Sequence, residues 1–206
     1  MFPIARLVAA VALGAAATAV SRPAAVTYHF GVSEARTNIA FESRAELETI
    51  IGSTLTLEGT AKVDEKAGTV EVDLKVPVSS LKTGIDVRDE HLRSDQWLDA
   101  AKHPDITFKS TSSKRKEGET NVFVVTGDFT MHGVKKEIVV DAKFKKIPAD
   151  VVKKTRMEDG DWVKFSTTFT AKLSDHGVKI PEGVGPKVED AWTVKFDAFA
   201  STVAKK

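Results

Sequence analysis

The sequence predicts an all-β domain built as an antiparallel closed barrel, in preference to a two-sheet sandwich. Three observations carry this: apolar and polar residues alternate with period two over most of the chain, glycine-bearing turns separate the alternating runs, and only one stretch has helical spacing. The 206 residues are 42% hydrophobic and 29% charged, with formal net charge +1 and no Cys. That is the composition of one folded domain, neither disordered nor collagen-like. The absence of Cys removes disulfides, thiolate catalysis and iron–sulfur ligation. Lys/Arg runs are confined to Lys114–Lys116 and short tails, which argues against a nucleic-acid partner.

The first residues read as an export signal. Arg6 precedes the apolar run Leu7 to Val20, and Ala17-Thr18-Ala19 offers small residues for cleavage. The run has about 14 residues against the roughly 20 that a spanning helix needs. Residues 1–19 are therefore expected to be removed, with cleavage no later than about residue 25, leaving a domain over 26–203. Their loss takes one Arg and no acid, so the charge falls from +1 to 0. No later run is long and apolar enough to span a membrane, so the expected location is a bacterial periplasm or the exterior, with no integral span after cleavage.

Strands follow in order. Val70, Val72, Leu74 and Val76 alternate with Glu71, Asp73 and Lys75, and Val163 to Leu173 alternates in the same way. The same period predicts strands near 26–32, 37–43, 53–64, 105–112, 121–130, 136–146 and 190–201. About nine strands result, joined by turns such as Asp64-Glu65-Lys66-Ala67-Gly68 and Glu158-Asp159-Gly160-Asp161. Leu81 to Ala101 supplies one or two short helices, with Asp89 placed four residues before Arg93 as a surface ion pair. The connections Pro148–Gly160 and Ser174–Glu189 are long and polar. Loops of that kind either gate a barrel rim or simply connect.

Motifs for catalysis are missing: there is no Gly-x-Ser-x-Gly, His-Glu-x-x-His, P-loop or Gly-x-Gly-x-x-Gly. No enzyme is expected, though Asp89 and His91 would be the residues of an acid/base alternative. His29, His91, His103, His132 and His176 are scattered without short ligand spacing, so no metal site and no cofactor are expected. Phe41, Phe108, Phe129, Phe165, Phe169 and Phe196 fall on predicted strands, where they either fill the barrel or line a cavity for an apolar ligand. Arg88, His91 and Arg93, with Trp97 beside them, are candidates for an anionic head group at a barrel mouth, because the guanidinium fork matches phosphate geometry. The plainer reading of this segment is a solvated helix laced with ion pairs.

Arg88-Asp89-Glu90-His91-Leu92-Arg93-Ser94 resembles the R-D-x-H-L-R-S signature of the bacterial YceI-like family. Trp97-Leu98-Asp99 with His103-Pro104, the strand Ile106-Thr107-Phe108-Lys109-Ser110, and Gly127-Asp128-Phe129-Thr130-Met131-His132-Gly133-Val134 are similar to further family motifs in the same order. The resemblance implies an extended lipocalin-like barrel, exported to the periplasm. It also implies a polyisoprenoid lipid or quinone-like amphiphile held in the interior unaltered, for carriage, storage or sequestration. One departure stands out. Ile51 to Gly59 occupies the place of an aromatic-rich G-x-F-x-x-F-x-G strand, which implies a narrower tunnel or a different ligand. The alternative function is a ligand-free stress or protein-interaction module with a packed barrel. Pairing of two chains through an edge strand into a homodimer is left open.

Overall fold

The structure, a computed structural model, describes residues 25–32, 36–155, 157 and 159–204. The expected export signal lies outside them. Alternation turns into ten strands: β1 (Val26–His29), β2 (Thr37–Arg44), β3 (Thr49–Thr54), β4 (Glu58–Asp64), β5 (Thr69–Pro77), β6 (Asp105–Arg115), β7 (Val122–Met131), β8 (Val134–Lys146), β9 (Trp162–Lys172) and β10 (Ala191–Ser201). All pair antiparallel in one sheet, in the order β1-β4-β5-β6-β7-β8-β9-β10-β2-β3. A further pairing of β1 with β10, His29 opposite Ser201, closes eight of these strands into a barrel. β2 and β3 extend it along β10, with Thr37–Glu42 opposite Thr193–Ala198.

The single strand expected over 53–64 is two strands. The Thr54 hydroxyl accepts the Thr56 N–H at 2.9 Å and shares a 2.8 Å hydrogen bond with the Ser80 hydroxyl, while Leu57 turns into the core. A side chain that engages its own backbone in this way competes with the ladder and ends it. β3 also takes up Thr49–Gly52, ahead of the start at residue 53 that alternation predicts.

The barrel wall is uneven. β9 pairs with β10 from Trp162 to Lys172, but with β8 only over Val163–Ser166 opposite Lys143–Lys146. From Val134 to Ala142, β8 has β7 on one side and no ladder to β9 on the other. The far end of this seam is held by histidines: Nδ1 of His176 bonds the Val134 carbonyl at 2.8 Å, and Nδ1 of His132 bonds the His176 carbonyl at 3.0 Å.

Two buried clusters occupy the interior. One gathers Tyr28, Phe30, Phe123, Phe144 and Phe165 near the β1–β10 closure, and the other gathers Phe41, Leu92, Leu98, Phe129, Met131 and Trp192 under helix α1 (Asp86–Arg93). Acids in the first turn of α1 and His91 and Arg93 in its last complement the helix dipole. The second short helix, α2 (Ala149–Lys154), lies in the β8–β9 connection, within the stretch Pro148–Gly160 whose polar composition predicts a loop. Among the described residues, no helix is long and apolar enough to cross a membrane.

Candidate functional site

Between the two clusters lies an apolar cavity of about 150 Å³. Strand alternation builds it, because every second residue of β2 and β4 to β10 points inward. Phe41, Phe108, Phe129, Phe165, Phe169 and Phe196 all stand on its wall. Aliphatic residues that the sequence does not mark as cavity lining, among them Val72, Leu74, Val125 and Val140, complete it. They were legible as inward strand positions, although nothing in their type separates a wall residue from a filler.

Two of the rings depend on glycines in the neighbouring strand. A Cβ at Gly52 would lie 2.2 Å from the Phe41 ring, and one at Gly127 would lie 2.6 Å from Phe108. Phe41 also stacks on Trp192, with centroids 4.4 Å apart and planes 10° from parallel. Two wall residues each hold a buried polar atom without a hydrogen-bond partner among the described residues, Trp192 at Nε1 and Thr167 at Oγ1. Buried polar groups are nearly always satisfied, so both are conspicuous.

None of Arg88, His91, Arg93 and Trp97 reaches this wall. Arg88 is used within the protein: its Nη1 donates to Glu48 at 2.7 Å, its Nε to the Thr83 hydroxyl at 3.0 Å and its Nη2 to the Thr83 carbonyl at 3.2 Å. His91 is exposed. Arg93 has Nη1 buried without a hydrogen-bond partner among the described residues, and Trp97 packs on the α1 cluster while bordering a shallow outer cleft. The segment contributes Leu81 and Leu98 to the cavity instead.

Asp89 is not the surface partner of Arg93 that helical spacing predicts. It is buried, accepting the Thr83 N–H at 2.6 Å and the Thr83 hydroxyl at 2.7 Å, with Lys82 Nζ at 3.6 Å. Burial pushes its carboxyl up, but the two Thr83 hydrogen bonds with Lys82 and Arg93 outweigh this and hold it below the ordinary carboxylate value. The signature's acid therefore pins α1 to the loop before it. A second polar group joins residues that spacing among the histidines does not link: Asp99, His103 and His132 each bring a ligand-capable atom to within 4.8 Å of the others.

An antiparallel barrel that closes on itself around an apolar cavity defines the class of small barrels built to enclose one ligand or to pack themselves full. The family model for the YceI-like domain matches residues 30–200. The chain belongs to that family. A UPF0312 protein of Pseudomonas savastanoi pv. phaseolicola is 33% identical over 202 residues, spanning 96% of this chain and 97% of that one. Among solved structures, Burkholderia cenocepacia BcnA superposes with TM-score 0.68 at 21% identity, over 82% of this chain and 99% of that one. A polyisoprenoid binding domain from Saccharophagus degradans, implicated in plant cell wall breakdown, superposes with TM-score 0.60 at 17% identity, over 85% and 98%. At these identities the two structures attest the fold.

Proposed function

We propose that the chain binds an isoprenoid or quinone-like amphiphile inside the barrel, without chemical change, as a carrier, store or sequestering protein. The cavity carries this reading, because its wall is almost wholly apolar and lies between two packed ends. The polyisoprenoid-binding description of the Saccharophagus domain supports the same ligand class. Each five-carbon unit transferred from water gains about 4 kcal/mol before ordering costs, at about 0.8 kcal/mol per carbon.

Size limits the reading usefully. An apolar cavity of about 150 Å³ stays dry and takes a benzene-sized guest, so the closed barrel fits a ring or one short isoprenoid piece. A longer chain enters only if the wall parts, and the unladdered β8–β9 seam is where it parts most cheaply. The Arg6-led apolar start of the chain supports action outside the cytoplasm.

Native mass spectrometry of protein recovered from the periplasm, with organic extraction of its contents, tests both parts. A stoichiometric isoprenoid or quinone is the expected result. Bare protein that also refuses added quinones and polyprenols would overturn the proposal in favour of a packed interaction module.

A further inference from the structure

The geometry points to a divalent first-row metal site of the zinc class, formed by Asp99, His103 and His132 at the α1 end of the barrel, outside the lipid cavity. The Lys102 and His103 amides both donate to the Asp99 carbonyl, at 3.0 and 2.7 Å. This turn, with Asp99 itself at positive φ, holds the two residues, four positions apart, close in space. His132 arrives from the two-residue turn between β7 and β8, where Met131 pairs with Val134. One ligand atom from each of the three lies within 4.8 Å of the others. Bonds of about 2.0–2.1 Å in a tetrahedron need ligands roughly 3.4 Å apart, a closure that small side-chain rotations supply.

The second coordination layer is already in place. A carbonyl only accepts, so the 3.0 Å bond from His132 to the His176 carbonyl puts the proton on Nδ1 and leaves the Nε2 lone pair free. Metal-binding histidines are held in this way. His103 makes no side-chain hydrogen bond to any described residue, and its ring rests on Gly133, where a Cβ would come within 2.5 Å of its Cε1. Asp99 (φ 44°) and His132 (φ 52°) are the two non-glycine residues with positive φ among the described ones. Uncommon backbone conformations gather at functional positions, and here both belong to one cluster.

Lys102 occupies the carboxylate meanwhile, its Nζ 2.9 Å from Asp99 Oδ2. With its side chain 73% exposed, it swings away at little cost when a divalent ion arrives. His132 also borders the shallow cleft with Gln96, Trp97 and Lys179, which gives ion and water access to a fourth position. Three protein ligands and one open position suit zinc, and two imidazoles favour it over magnesium or calcium. Leu98 and Met131, adjacent in sequence to two of the ligands, line the cavity. A bound ion therefore ties the segment after α1 to the β7–β8 turn at the cavity's end.

Calorimetric titration of the metal-free mature chain with zinc chloride near neutral pH tests this. One saturable site is expected, weakened about tenfold or more in His103→Phe, which keeps a ring on Gly133, and in His132→Asn, which suits a positive-φ turn position. Zinc should raise the melting temperature of the wild type and not of His103→Phe. Lys102→Ala, a surface change, should bind zinc more tightly. Absence of saturable binding by the wild type, undiminished binding by both histidine variants, or no gain in Lys102→Ala would each overturn the site.

Discussion

Phe165 and Gly52 separate stability from binding at the level of single residues. Phe165 is buried against Phe30 and Phe144, with centroids 5.7 and 5.3 Å away. Its replacement by Ala is expected to cost about 3–5 kcal/mol in urea unfolding, so lost ligand binding in that variant would say little about the cavity. Gly52→Ala is the sharper probe. Its φ is not in the left-handed region, and the new methyl collides with the Phe41 ring rather than with backbone. The ring must shift, and it is both stacked on Trp192 and part of the cavity wall. Binding of an apolar fluorophore should fall severalfold for a stability cost of about 1–3 kcal/mol.

Asp89 sets the acid limit of the α1 anchor. Its folded carboxyl is held below its unfolded value, so the stability it adds is fully present above the unfolded pKa, about 3.9, and is lost as pH falls through the folded value. The difference in urea midpoint between the wild type and Asp89→Asn should thus be constant from neutral pH down to about 4 and shrink below it. A difference that grows on acidification would show that the carboxylate is not what Thr83 holds.

Hydrogen exchange gives the seam a signature at the level of strands. Along Val134–Ala142, amides facing β7 are laddered while those facing β9 are not, so protection should alternate residue by residue. It should become uniform over Lys143–Lys145, where amides meet β9 on one side and β7 or the Asn121 carbonyl on the other, and apolar ligand should slow the exposed set if the chain enters here. Uniform protection along β8 would close the seam as a route.

This is also where sequence reading reached its limit. Alternation reported the inward face of each strand, including all six Phe, because burial follows period two directly. Which strands pair, and over what length, depends on partners distant in sequence, so the short β8–β9 ladder left no local mark. The break at Thr54–Thr56 arose from a hydroxyl engaging its own backbone amid residues that still alternate. The four mouth candidates do not line the cavity wall, since charge density marks a segment without saying which way it faces. His103 and His132 were passed over since 29 positions separate them and a positive-φ turn brings them together.

For the molecule as a whole, burial must supply the stability, since the chain has no Cys and no cross-link constrains the unfolded state. Ligand adds to it by mass action: at about 100 times Kd, an isoprenoid that binds only the folded barrel contributes roughly 2.7 kcal/mol. Thermal scans at rising quinone concentration should show a steadily climbing midpoint, and a fixed midpoint would mean no binding in the barrel.

The placement of β10 has a consequence for timing. It is the last strand in the chain, yet it pairs with β9 and with both β1 and β2, and its approach brings the Glu189 N–H to the Ser43 hydroxyl at 2.8 Å, 146 residues away in sequence. Until Ala191–Ser201 is present, β1 and β2 lack this partner and the ring stays open. Contacts so distant in sequence form slowly. A chain emerging N-terminus first thus remains threadable almost to its end, and locks only when the final strand joins.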